Sequence, residues 1–108
     1  MTYALFDPVA DWLEYRDERF EWSRRKALAN FSKHGIRFEF AIHVFDCEEQ
    51  FEDIDEMHST HENRYRIIGM VERICVFVSF TVRGQRLRLI SARRADVNEV
   101  NEYVRRFC

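Results

Sequence analysis

The residues in this chain best equipped for chemistry are arginines and a few histidines. Arg83, Arg86, Arg88, Arg93 and Arg94 crowd into RGQRLRLISARR at positions 83–94, and Arg64 stands just ahead of the apolar run that precedes it. A guanidinium is planar, permanently charged and able to grip two phosphate oxygens at once, so such a cluster suits an anionic partner. Arg64, Arg93 and Arg94 are the candidates for phosphate contact, against the plain alternative of surface arginines on strand ends. Arg86 and Arg88 share a face of an extended strand and could line the path of a bound polyanion, or could be solvated. His58, in a polar loop, is the best acid–base candidate, because an imidazole titrates near neutrality. His61 makes an H-x-x-H pair with it, but no third ligand is fixed by spacing, so no metal site and no cofactor is expected.

The charge is strongly segregated along a chain of net charge −2. Residues 1–63 carry 7 Lys and Arg against 15 Asp and Glu, residues 64–94 carry 8 against 1, and residues 95–108 carry 2 against 3. Such a division points to one cationic surface facing RNA, DNA or an acidic protein. The acidic stretch from Asp46 to Glu56 reads either as a solvated edge that discourages strand pairing or as a brake on nonspecific RNA binding. At 108 residues, 46% hydrophobic and 15% aromatic, the chain can build one packed domain. Cys47, Cys75 and Cys108 are odd in number and widely spaced, which argues for reduced thiols rather than a disulfide framework. No apolar run approaches the roughly 20 residues that span a bilayer, so a soluble, cytoplasmic protein is expected.

These side chains must be held by a scaffold whose outline is visible. Asp7-Pro8 predicts a helix over 8–18, with Val9, Trp12 and Leu13 on one face. Phe20-Glu21-Trp22 predicts a short strand. Ser23 then caps a helix that carries Ala27, Leu28 and Phe31 on one face and stops at Gly35. Phe38, Ala41, Ile42 and Phe45 predict a second amphipathic helix. Phe51–Met57 reads as an edge strand and 58–63 as a loop. From Tyr65 the period becomes two: strands over 65–71, 74–82 and 86–92, with turns at Glu72-Arg73 and Arg83-Gly84-Gln85. Asp96 and Glu99 form a capping pair for a last helix with Val97, Val100 and Val104 on its apolar side. The expected fold is α+β: N-terminal helices, an antiparallel meander with the helices on one face, and a C-terminal helix.

Several words in this order resemble the BrnT family of bacterial type II toxins. They are FEW at 20–22, N-x-x-KHG ending at Gly35, F-x-x-A-x-x-VFD at 38–46, HS at 58–59, RY at 64–65, IG at 68–69, FT-x-RG at 80–84 and ISARRA at 90–95. The resemblance implies a RelE-like fold over residues 20–108, preceded by an extension over 1–19, and a ribonuclease that halts translation. It also implies a ribbon-helix-helix antitoxin resembling BrnA, with operator DNA bound only through the toxin–antitoxin complex. Two departures stand out: the extra 1–19 segment, and Asn63 where the family often has an acid.

For such a ribonuclease, attack by a 2′-hydroxyl needs a base, an acid and cations around the transition state. His58, Arg64, Arg93 and Arg94 form the expected catalytic set, with Lys33, His34, Arg86, Arg88 and Tyr103 as substrate-binding residues. Lys33 and His34 are equally explained as cations at a helix C-terminus, and Tyr103 as a core ring. Glu62 could act as a base, and His43 reads as a surface or packing residue. The alternative function is a non-catalytic module whose arginine face docks an acidic protein.

Overall fold

The computed structural model describes residues 13–108. In chain order the elements are β1 (Glu14–Arg16), β2 (Phe20–Ser23), α1 (Arg24–His34), α2 (Phe38–Ala41), a 3₁₀ helix (Ile42–Asp46), β3 (Gln50–Ile54), a 3₁₀ turn (Glu56–His58), β4 (Tyr65–Val71), β5 (Ile74–Arg83), β6 (Arg86–Arg94) and α3 (Val97–Phe107). All six strands form one sheet in the order β1-β2-β6-β5-β4-β3. The fold is α+β, as expected, but the sheet is mixed. β3 to β6 form the antiparallel meander, which brings β6 back beside β2 running parallel to it.

The strand at Glu14–Arg16 corrects the expected helix over 8–18, of which residues 8–12 lie outside the described residues. Pairing to β2 places Tyr15 opposite Trp22, where the two rings stack at 4.1 Å. That apolar stacking and the hairpin's hydrogen bonds override a local helix signal.

The sheet buries both faces. Phe20, Trp22, Ile67, Val76, Val78, Phe80, Leu89 and Ala92 pack beneath α2 and the 3₁₀ helix on the first face, giving the larger core. Phe51, Ile68 and Phe77 pack against Tyr103 of α3 on the second. The strict alternation of β4 and β5 feeds both cores. α3 therefore lies opposite the other helices, which corrects the expectation that all helices share one face. Its apolar side is also not the one expected: Val97 is 75% exposed and Val104 46%, while Glu99 and Tyr103 are buried.

The expected second amphipathic helix is split into one α turn and a 3₁₀ segment. Phe38, Ala41 and Val44 are wholly buried, at a spacing of three rather than at 3.6, and three residues per turn is the 3₁₀ period. Val44 lies against β4 at Gly69, where an added Cβ would meet Gln50 Cβ at 2.9 Å and Val44 Cγ2 at 3.0 Å. Ser23 caps α1 by accepting from the Lys26 N–H at 3.2 Å, and Gly35, at φ 71°, closes it with a bond to the Phe31 carbonyl. Among the described residues no helix is long and apolar enough to cross a membrane.

Candidate active site

The second face carries a cleft of about 440 Å³ between the β3 end and α3, lined by Asp53, Asp55, His58, Arg66, Phe77, Arg93 and Glu99, with Ile54, Glu56 and Met57 at its rim. Strand register sets the floor. One row across four strands reads Asp53, Arg66, Ser79, Ser91, and the next reads Phe51, Ile68, Phe77, Arg93.

Arg93 reaches this face because β6 is irregular. Ser79 pairs with Ser91 but Phe80 pairs with Leu89, so Ile90 has no partner opposite it. A bulge of one residue reverses the alternation that follows. Arg93 therefore joins the face of Arg86 and Arg88, while Arg94 points to the other. Beyond the bulge, buried Asn30 of α1 bonds the Ala92 N–H at 3.0 Å and carbonyl at 2.8 Å, replacing the neighbouring strand that β2 no longer supplies. Asn30 and Gly35 thus give the N-x-x-KHG word structural work.

Arg93 lies over Phe77, its Cζ 4.0 Å from the ring centroid. Its terminal nitrogens donate to both Glu99 oxygens, at 2.8 and 3.0 Å, and Nη1 also reaches the Arg94 carbonyl at 3.2 Å. Glu99 in turn accepts from the Asp96 N–H in a complete capping box, so the start of α3 and the aim of Arg93 are fixed by one carboxylate. Three of the five guanidinium hydrogens are thereby engaged, leaving two for a ligand. Across the floor, Arg66 donates to Asp53 at 2.6 and 3.0 Å and to Glu102 at 3.5 Å.

The acid–base group comes from the β3–β4 connection. Asp55 N–H bonds the Arg64 carbonyl, and Ser59 Oγ donates to the Asp55 carbonyl at 2.7 Å while accepting from the Arg64 N–H at 2.8 Å. This latch folds the 3₁₀ turn back so that His58 Nδ1 lies 2.7 Å from Asp55 Oδ2. A neutral imidazole donating Nδ1–H to that carboxylate presents Nε2 as an acceptor, the state of a general base.

The structure brings together two of the four expected catalytic residues, His58 and Arg93. Arg64 and Arg94 do not line the cleft; the backbone of Arg64 anchors the loop, and Arg94 is exposed at the end of β6. None of the five expected substrate-binding residues lines it either. Lys33 and His34 end α1 on the far side of the sheet, where burial, Lys33 and Arg93 hold the His34 imidazole below its ordinary pKa. Arg88 is clamped by Glu14 and Glu21, each at 2.7 Å, Arg86 donates to the Asp17 carbonyl, and Tyr103 is packed in the second core. Glu62 is held by Arg83 and lies below the ordinary carboxylate range, and His43 is exposed. Asp55, Arg66 and Glu99 line the cleft without having been selected from the sequence. Alternation could have placed Arg66 beside Ile68 on the second face, and the capping pair already singled out Glu99. Nothing local marked Asp55. No group of three or more His, Cys, Asp or Glu side chains suited to a metal ion occurs among the described residues.

No curated protein matches the chain. A family described as the ribonuclease toxin, BrnT, of type II toxin–antitoxin systems matches residues 22–99, a span that contains every residue lining the cleft from Asp53 to Glu99. On that match across most of its length, the chain belongs to the BrnT family of ribonuclease toxins.

Proposed function

We propose that this protein is a metal-independent endoribonuclease of RelE-like fold that inhibits translation in the cytoplasm, with the cleft of the second face as its active site. The observation that carries this reading is the meeting of the Asp55–His58 pair with Arg93 and Arg66 in one cleft. His58 Nε2 takes the proton of a 2′-hydroxyl, O2′ bonds to phosphorus, and the P–O5′ bond breaks, with a proton delivered to O5′. The charge that builds on the phosphoryl oxygens meets the free hydrogens of Arg93 and the neighbouring Arg66, both held in place beforehand. The product is a 2′,3′-cyclic phosphate and a 5′-hydroxyl.

On this reading a ribbon-helix-helix antitoxin neutralises the toxin, and operator DNA is bound only through the complex of the two. Incubating the purified chain with RNA in excess EDTA tests the chemistry, with cleavage and a cyclic phosphate terminus as the expected result. Cleavage that requires added divalent metal would overturn the mechanism. Intact RNA under all conditions, together with normal growth on induction, would favour the module that only binds a protein.

A further inference from the structure

The outer surface of α1 exposes large apolar side chains beside a groove. Leu28 is 63% exposed and Phe31 39%, although both lie on what the sequence presents as the helix's apolar face. With Trp22 and Phe38 they line a groove of about 200 Å³, with Arg24, Arg37 and Glu39 at its edge. Large apolar side chains grouped around a concavity mark a surface that another molecule covers.

The charges around the groove carry the second observation. The first turn of α1 is Arg24-Arg25-Lys26 with no acidic residue, and Lys33 follows near its end. Cations at a helix N-terminus oppose the macrodipole and destabilise the helix. The Arg37 guanidinium lies 4.3 Å from the Phe31 ring centroid, keeping a further positive charge over the apolar pair. None of Arg24, Arg25, Lys26, Lys33 and Arg37 forms an ion pair among the described residues, whereas Arg66, Arg83, Arg88 and Arg93 of the sheet each do. Glu39, the one carboxylate lining the groove among the described residues, does not offset five cations.

We infer that this face of α1 is the docking surface for the antitoxin, and that the docking segment is an amphipathic helix with an apolar stripe flanked by acidic residues. The inference rests on membership of a toxin–antitoxin family and adds the surface and the chemistry of its partner. Leu28 and Phe31 receive the stripe in the groove, and the acidic flanks meet Arg24, Arg25, Lys26 and Arg37. Such flanks also supply the negative charge that the start of α1 lacks, so the helix is more stable in the complex than alone. A polyanion such as RNA satisfies the cations but leaves Leu28 without an apolar partner, which is why a protein segment fits better. The docking surface lies across the sheet from the cleft.

The test uses the full chain, co-expressed and then titrated with its cognate antitoxin. Leu28→Glu, and separately the pair Arg24→Glu with Arg25→Glu, should each weaken the complex by about tenfold or more. The free variants should cleave RNA at the unaltered rate, so that antitoxin no longer relieves their growth arrest. The arginine pair should also raise the Tm of the free protein by a few degrees, since the conflict with the dipole is removed. Unchanged antitoxin affinity in both variants would overturn the inference. So would loss of RNA cleavage with antitoxin affinity retained, which would make α1 part of the RNA path. If the unaltered chain fails to cleave RNA while the variants still lose antitoxin, the docking surface stands and the ribonuclease mechanism falls.

Discussion

The cleft side of the sheet and the outer surface of α1 handle positive charge differently. On the second face Arg66, Arg88 and Arg93 are each gripped by carboxylates, at N–O distances of 2.6 to 2.8 Å. On the outer surface of α1 the first-turn cations Arg24, Arg25 and Lys26 have no acidic neighbour in that turn and form no ion pair among the described residues. A clamped arginine is stiff and aimed; a free one is mobile and attracts anions broadly. Catalysis needs the first kind, because a donor that must reorganise during the reaction loses much of its stabilising effect. Association with a partner is served by the second kind, which steers encounter and forms its ion pairs only on docking. Of the strongly basic segment that the chain advertises, Arg83, Arg88 and Arg93 are therefore taken up by carboxylates in the folded molecule.

The sharpest way to break that comparison is to truncate one arginine from each side. Arg93→Ala should lower the rate of RNA cleavage by about 10² to 10³-fold, the usual effect of losing one aimed donor to a transition state. Arg25→Ala should leave that rate unchanged. Arg93 also partners buried Glu99, so its removal destabilises the fold as well. Rates should therefore be measured well below the Tm of each variant, with Arg93→Lys as a control that keeps the charge but loses the fork. Equal losses from Arg93→Ala and Arg25→Ala would mean that clamping does not separate the two sides.

A smaller effect is expected from the carboxylate behind the base. Asp55→Asn keeps the size of the side chain but no longer favours the Nδ1–H tautomer of His58, so roughly a tenfold to hundredfold loss in cleavage is expected, at most that of removing His58 itself. The readout that separates positioning from mere folding is thermal stability: Asp55→Asn should lose rate while its Tm stays close to that of the parent. A rate loss matched by a comparable loss of Tm would reduce Asp55 to a loop-holding residue.

How much of this could be read from the chain depends on how local each cause is. The caps at Ser23, Gly35 and Asp96–Glu99, and the alternation from Tyr65 to Val82, are set by neighbours within a few residues, and all are realised. β3 also falls at the sheet edge, as expected, but it spans Gln50–Ile54 rather than 51–57, because Glu56–His58 turn into the 3₁₀ segment. The parallel pairing of β2 with β6 is a property of the whole topology. So is the Arg88–Glu14 pair, which spans 74 positions, and charge blocks well separated along the chain interleave in space. Within the site, His58 and Arg93 were legible as residue types with the right chemistry. The face of Arg93 hangs on the unpaired Ile90, and a bulge leaves no mark in a stretch such as Leu87 to Ile90, which carries no glycine or proline. Leu28 and Phe31 were visible as an apolar stripe, but pattern alone says that a stripe is covered and not by what.

The finest test of the two-sided description asks whether the sides sense each other at all. His34 ends α1, yet its imidazole is held below the ordinary value by burial and by the positive charges of Lys33 and Arg93. A nearby cation disfavours the imidazolium, so removing it must raise the pKa. In Arg93→Ala the His34 pKa should therefore rise, a change that an NMR titration of the ring protons resolves. The sign carries through to stability. A histidine whose pKa is depressed on folding binds fewer protons than in the unfolded chain, so it costs stability as pH falls through the unfolded value of about 6.5. That acid penalty should shrink in Arg93→Ala relative to the parent, even though the variant is less stable overall. An unmoved His34 titration would mean that the charge of Arg93 is not felt across the end of β6. The cleft and α1 would then be electrostatically independent, and only the shared strand would connect them.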